Sequence, residues 1–530
     1  LVSRAAGARR VRTELYDTLV DRDGCVPSLR IDGVEVLKAN LDVSRGVYFL
    51  PGYPLPFDIK QPAPATVSAQ CDKAAVQYDF TPSKMTWTVE NRSDAAVPFF
   101  AVLDTSVTAV QNGDGEWAKL PLTKDAKADG EAWRTTTWYA GRAKMKMTGA
   151  SRLWGPWQGS YQVWEATLAP KEKRVITVEL GLTDAAEAEK VGEATGVRPA
   201  LATDVTLDAP ADYQVFQRQT KLQGAVTVRG RVRAGYDRLE VRTVGKSLQG
   251  PLPTGWRELP AAAKGREFEA TVPTPAGGWY KVEVRALKDG RVVGQAAADH
   301  VGVGEVFVGA GQSNSTNCGQ EKIRPTSGMV AAFSGTGWQL ADDPQPGVHD
   351  NSTGGSYWPA FGDALFEAYQ VPIGIASTGH SGTSVNQWAP GGDLCRWTSA
   401  RMRQLGPQGF RAVLWHQGES DVGMAPDEYA RKMTALIRET QRAAGWEVPW
   451  FVAQVSYHNP NSVSFPNPRA GQKLLWDTGV ALEGPDTDTL TGDNRDEGGR
   501  GIHFSPRGLR AHGRMWAEKV TAYLDKELAK

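Results

Sequence analysis

From Glu305 onward, short apolar runs alternate with helix-patterned ones, and this alternation constrains the fold more than any other feature. EVFVGAG, VPIGIAST, RAVLWHQG and VPWFVAQVS read as strands. APDEYARKMTALIRETQRAAG is apolar at Tyr429, Met433, Leu436 and Ile437, which is helical spacing. SPRGLRAHGRMWAEKVTAYLDKELAK opens with Ser505 as an N-cap and Pro506 at the first helical position. Strands alternating with helices predict a parallel sheet covered on both faces. Ligands of such sheets bind beyond the carboxyl ends of the strands. Ser313, the glycines after Ile375, and Gln417 fall there.

The upstream sequence has a different texture. SKMTWTVENRS, VPFFAVLDTSV, GSYQVWEATLA and KRVITVELGL are short alternating runs separated by turn residues. TDAAEAEKVGEATGVRPALAT reads as a short helix and linker. A second β segment follows, with KLQGAVTVRGRVRAGYDRLEVRTVG alternating well. A chain of 530 residues is too long for one core. We therefore expect a multidomain protein: a β-sandwich over 1–199, an immunoglobulin-like β domain over 200–303, and the α/β domain over 304–530.

Charge excludes some functions. Lys plus Arg and Asp plus Glu are equal at 60 each, so no net basic field exists to attract nucleic acid or an anionic membrane. No apolar run is long enough to cross a bilayer. The first residues, LVSRAAGARRVR, have no apolar signal core, so we expect that any secretion signal is absent from this chain. Four cysteines occur without a CxxC pair. Pairs Cys25–Cys71 and Cys318–Cys395 would each stay within one domain, compatible with a secreted or periplasmic protein. Cys318 and Cys395 should both lie near the cleft rim and form a bridge. Trp154 to Trp164, WGPWQGSYQVW, could stack on sugars or fill a sandwich core.

VFVGAGQSNSTNCG turns abruptly from strand residues to small polar ones. Gly, Ser and Asn are ordinary turn residues, but a serine on a strand-to-helix turn is also held up where a substrate can reach it. A serine nucleophile needs a histidine base, and the base needs an orienting acid. Of seven histidines, His503 in GGRGIHFSPRG is best placed, in a loop just before the last helix. His416 ends a strand and is structural or lines the cleft. His512 reads as a histidine satisfied within its helix environment. GHSGT at Gly379 to Thr383 departs from G-x-S-x-G at Thr383, so we read it as a turn lending backbone N–H groups to an oxyanion rather than as a second nucleophile elbow at Ser381. His416 and Glu419 are only two candidate metal ligands, too few for a site. No dinucleotide or P-loop fingerprint occurs, and no cofactor or metal is expected.

Together these residues resemble the SGNH hydrolases, in particular the sialate O-acetylesterase and acetylxylan esterase branch. Gly311-Gln312-Ser313-Asn314 resembles the nucleophile block. PIGIASTGHSGTSVNQW is similar to the glycine block, with Ser381-Gly382-Thr383 and Trp388 filling it. VLWHQGESD resembles W-H-Q-G-E, the most specific match, and IHFSPRGLRAHG resembles the histidine block. The resemblance implies a flavodoxin-like three-layer SGNH fold and a carbohydrate O-acetylesterase acting on an acetylated carbohydrate. Ser313 would attack the ester and His503 would be the base. The backbone of Ser313 and Gly382 and the side chain of Gln417 would bind the oxyanion, and Asn314, His416 and Trp388 would face substrate. One departure concerns the acid. The family often has Asp three residues before the histidine, and Arg500 stands there. Some acetylxylan esterases of this branch use the Glu of W-H-Q-G-E, so Glu419 is our first choice. Asp493, Asp496 and Glu497 could fold back, Asp496 being second, and a Ser–His dyad without acid is third. The missing Asp also leaves an alternative open: a catalytically impaired carbohydrate-binding protein on the same fold. Oligomeric state and the acyl-bearing sugar are not readable from these residues.

Overall fold

The computed structural model describes residues 2–5, 8–21, 23–40, 44–49, 58–123, 128–157, 161–196, 204–233, 235–264 and 266–529. The chain forms two compact units, Leu1–Thr203 and Asp204–Lys530. Its mostly-sheet, multidomain character agrees with the sequence reading.

The first unit is built from antiparallel sheets. Nine strands form one sheet, with Lys84–Asn91 between Ala74–Phe80 and Lys173–Leu182. Five form another, with Val97–Leu103 between Tyr161–Leu168 and Val47–Phe49. Along Lys84–Asn91 every second residue is buried, so Met85, Trp87 and Val89 point the same way. Trp87 meets Phe99 edge-on at 6.2 Å between ring centroids, which joins the inner faces of the two sheets. Trp164 is buried in the same core, and Trp154 packs on Phe100 while donating to Glu165 at 2.8 Å. These two tryptophans of the Trp154–Trp164 stretch therefore fill structure; residues 158–160 lie outside the described ones. The expected short helix is Ala185–Thr195. It is opened by a reciprocal Asp184–Glu187 capping box and closed by Gly196 at φ 72°.

In the second unit one strand, Arg291–Gly311, does two jobs. Its first half pairs antiparallel with Gly277–Lys288. From Glu305 it pairs parallel with Ile373–Ser377 on one side and Ala412–His416 on the other. No break falls at the 303/304 boundary drawn from the sequence, because this strand spans it. Val330–Phe333 extends the parallel sheet beyond Ile373–Ser377, and Trp450–Gln454 then Leu482–Asp486 extend it the other way. Successive residues of the central strand face opposite sides. Phe307 packs in a core with Trp358 and Phe361 of the helix Trp358–Tyr369 and Trp516 of Pro506–Glu527. Val306, Val308 and Ala310 pack with Met402 of Asp393–Leu405 and Met433 and Leu436 of Pro426–Ala444. Helices thus cover both faces, which is why these strands are apolar throughout rather than alternating.

The start of the parallel segment is pinned electrostatically. Glu305, fully buried, takes Arg218 Nε at 2.7 Å, Arg411 Nε at 2.8 Å and Gln217 Nε2 at 2.8 Å. Satisfying both carboxylate oxygens offsets the large desolvation cost of a charge in a core. No helix among the described residues is long and apolar enough to cross a membrane.

Candidate active site

After Gly311 the chain passes to Val330–Phe333 on one side of the central strand, and after Ser377 it crosses to Ala412–His416 on the other. A crevice opens at such a point. Three strand ends converge there: Gly311, Ser377 and His416. Gly311 sits at φ 127°, and a Cβ there would lie 2.1 Å from the His416 carbonyl oxygen. That same oxygen accepts from Gln312 N at 2.9 Å. Only glycine permits this approach, and it sends Gln312 and Ser313 off the sheet into a short 3-10 turn, Ser313–Ser315. Among the described residues the Ser313 hydroxyl has no hydrogen-bond partner, and the Ser313 and Gly382 backbone N–H groups donate to no chain acceptor. Gly382, at φ 70°, is exposed and has nothing within 4 Å of where a Cβ would stand.

His503 comes from the loop before the last helix. Its Nδ1 lies 3.7 Å from Oδ2 of Asp496, and its own N–H donates to Asp496 Oδ1 at 3.2 Å. Asp496 N returns a bond to the His503 carbonyl at 3.0 Å. The carboxylate facing the His503 ring is therefore that of Asp496, our second choice, while Glu419, our first choice, bonds Asn314 instead. The reason is local. Residues 497–501 form a side loop in which Glu497, Gly498 and Gly499 all have positive φ. Arg500 N and Gly501 N both donate to the Asp496 carbonyl at 3.1 Å, closing the loop. The chain doubles back, and Asp496 occupies the place that spacing alone would have given to residue 500. Arg500 instead donates to the Glu497 carbonyl on the exposed side. The run Glu497-Gly498-Gly499-Arg500-Gly501 is the signal that could have revealed this.

Other expected roles also change. Gln417 is fully buried, and both its amide protons are used, on Thr383 O at 3.1 Å and Asp421 Oδ2 at 2.6 Å. Its Oε1 accepts from Tyr429 at 3.1 Å. It has no donor left for an oxyanion. Trp388 is likewise buried, edge-on to Trp415 at 4.9 Å and bonded to Thr383 Oγ1 at 3.0 Å, so it does not face substrate. His416 is 1 % exposed and points into the core toward His512, not into the crevice. Glu419 accepts from Asn314 Nδ2 at 3.0 Å. Asn314 also donates to the Ile502 carbonyl at 3.3 Å, which brings the Ser313 turn and the His503 loop together.

Sequence reasoning missed several neighbours. Asp421 accepts from Val385 N at 2.8 Å as well as from Gln417, and so ties the glycine block to the W-H-Q-G-E strand. Asp350 accepts from Ser381 N at 2.7 Å. His349 and His380 meet Nδ1 to Nδ1 at 2.6 Å beside that block. Burial, then the neighbouring His380, pushes the His349 pKa down to about 3. Arg495 donates to the Ile502 carbonyl at 2.8 Å and lies over the Tyr457 ring at 3.7 Å, bracing the histidine loop from behind. The cysteines are free. Cys318 contacts Ser381 Oγ at 3.6 Å, whereas Cys395 is buried in a core cluster with Trp388 and Met402, so the expected bridge is not formed.

Residues 303–522 match the family described as carbohydrate esterase, sialic acid-specific acetylesterase. No curated protein matches. Among solved structures, the chain is similar to a carbohydrate acetylesterase from Xanthomonas citri at 19% identity, covering 58% of this chain and 72% of that one, with a TM-score of 0.38. It is also similar to a protein from Arabidopsis thaliana at 17% identity, covering 42% and 98%, with a TM-score of 0.33. The crevice thus lies wholly within the segment, residues 303–522, that matches the carbohydrate esterase family of sialic acid-specific acetylesterases.

Proposed function

We propose that the protein is a carbohydrate O-acetylesterase of SGNH type, working through an acetyl-enzyme on Ser313. The observation that carries this reading is the reciprocal pairing of His503 with Asp496, on a loop tied to the Ser313 turn by Asn314. Asp496 favours the tautomer with a proton on Nδ1, leaving Nε2 free to take the Ser313 proton. Ser313 Oγ then attacks the acetyl carbonyl. The developing oxyanion is received by the Ser313 and Gly382 N–H groups, each donor of this kind being worth about 10²–10³ in rate. The tetrahedral adduct collapses, and His503 gives its proton to the departing sugar oxygen. Water, deprotonated by His503, attacks the acetyl-enzyme; this second adduct collapses as His503 returns the proton to Ser313 Oγ, and acetic acid leaves, ionising in solution. Net, one ester and one water give one acetate, one proton and one sugar hydroxyl. The impaired-enzyme alternative rested on the missing aspartate, and Asp496 removes that ground.

Hydrolysis of a chromogenic acetate ester tests the reading. Ser313→Ala should abolish acetate release with an unchanged circular dichroism spectrum, and Ser381→Ala should leave substantial activity. Full activity in Ser313→Ala would overturn the assignment. Acetate release from a panel of acetylated glycans would then identify the sugar.

A further inference from the structure

Behind the nucleophile turn runs a buried string of side chains that the hydrolytic steps do not use. The Trp516 indole N–H donates to His512 Nε2 at 3.1 Å. An indole nitrogen can only donate, so His512 Nε2 carries the lone pair. His416 Nδ1 reaches that same Nε2 at 3.0 Å. Such a contact needs one proton between the rings. His512 does not hold it on Nε2, so it sits on His416 Nδ1.

The other nitrogen, His416 Nε2, lies 3.5 Å from Glu419 Oε1. If it were bare, a lone pair would face a carboxylate oxygen inside the core. Trp516, His512, His416 and Glu419 are 0, 0, 1 and 4 % exposed, so water cannot relieve that repulsion. Glu419 Oε2 is buried without a hydrogen-bond partner among the described residues, which leaves Oε1 as the side where its charge is met. Burial opposes ionisation of Glu419, but the hydrogen bonds from His416 and Asn314 outweigh it and hold the carboxyl below its ordinary range. Burial first of all pushes His512 the other way, well below the usual histidine value, which makes it the neutral ring of the string.

We propose that His416 is held doubly protonated as the cationic half of a buried pair with Glu419, and that this pair fixes Asn314 and through it the spacing of Ser313 from His503. His416 and Glu419 are then positioning residues, acting on the site through the Asn314 amide. His512 and Trp516, one helical turn apart on the last helix, set the polarity of the string by refusing a proton at His512 Nε2. The positioning role rests on the esterase reading, whereas the charge state of His416 does not.

Long-range proton–nitrogen correlation spectra of the ¹⁵N-histidine-labelled full chain read that charge state directly. At neutral pH we expect one histidine with both ring nitrogens protonated, assigned to His416 by its disappearance in His416→Gln. Another should be neutral with its proton on Nδ1, assigned to His512. Glu419→Gln should convert the His416 signature to a singly protonated ring. It should also lower kcat on an acetate ester by about 10- to 100-fold, with KM little changed. If a variant fails to fold, the wild-type spectrum still decides, because a set of seven rings with no imidazolium overturns the proposal. So does an imidazolium unaffected by Glu419→Gln. A wild-type protein that shows the imidazolium but hydrolyses no acetate ester would sink the esterase reading and leave the charge assignment standing.

Discussion

Asn314 donates its side-chain amide to the main-chain carbonyl of Ile502 at 3.3 Å. The residue after Ser313 is thereby tied to the residue before His503. No hydrogen bond joins the Ser313 and His503 side chains themselves, so this bridge is what sets their separation. Asn314→Ala removes it without removing either reacting group. We expect kcat to fall by about 10- to 100-fold with a smaller change in KM, since misplacement acts on the attack step. Steady-state kinetics on an acetate ester measure this, and near-normal kcat would show that the bridge is dispensable.

Asp496→Asn should cost about 10²–10⁴-fold in kcat, because the amide can donate to Nδ1 and favour the wrong imidazole tautomer. Asp493→Asn is the control. Asp493 is 88 % exposed, faces Arg507 at 3.4 Å and should be near-neutral. Equal effects of the two substitutions would refute the assignment of Asp496.

How much of this was legible beforehand differs residue by residue. Ser313 and His503 were singled out by short blocks with fixed chemistry, and the Asn314–Ile502 bond sets their two loops side by side. The parallel sheet was foreshadowed by alternating apolar runs, whose period needs no tertiary information. Asp496 was passed over in favour of Glu419 because its position depends on three successive positive-φ residues, a backbone excursion that linear spacing does not display. Gln417 was misread for a different reason. Its amide is captured by Asp421, four residues on, and its carbonyl oxygen by Tyr429, from a later helix. Side-chain direction after a strand is decided by such partners, not by the strand.

Gln417 therefore carries stability rather than oxyanion binding. Gln417→Leu strands Thr383 O without its donor, while Asp421 keeps Ser384 and Val385 N and Tyr429 keeps the residue 417 main-chain carbonyl. A loss of roughly 1–3 kcal/mol for the abandoned group is expected. Urea unfolding should show a lowered midpoint, while kcat of the folded fraction falls by less than the about 10²–10³ typical of a lost oxyanion donor. An unchanged midpoint with a thousandfold loss in kcat would restore the donor role.

Thiol titration in denaturant without reductant should find four reactive cysteines. Finding Cys318 and Cys395 both unreactive would mean that Cys318 has left Ser381 and that the glycine block adopts a different backbone.

His349 predicts an acid-side weakness. Its pKa is about 3 in the folded chain, through burial first and His380 second, against about 6.5 when unfolded. Between these values the unfolded chain binds a proton that the folded chain refuses. Stability must therefore fall as pH falls below about 6.5, by up to about 1.4 kcal/mol per pH unit for this group. Carboxyls raised by burial, such as Asp343, act in the opposite direction, because the folded chain holds their proton more tightly. The difference between wild type and His349→Gln cancels those shared contributions. Urea midpoints taken from pH 7.5 down to pH 5 should thus converge: the variant is less stable at neutral pH through its lost contact with His380, and the gap narrows with acidification. A gap independent of pH would mean that His349 accepts a proton in the folded protein as readily as in the unfolded one.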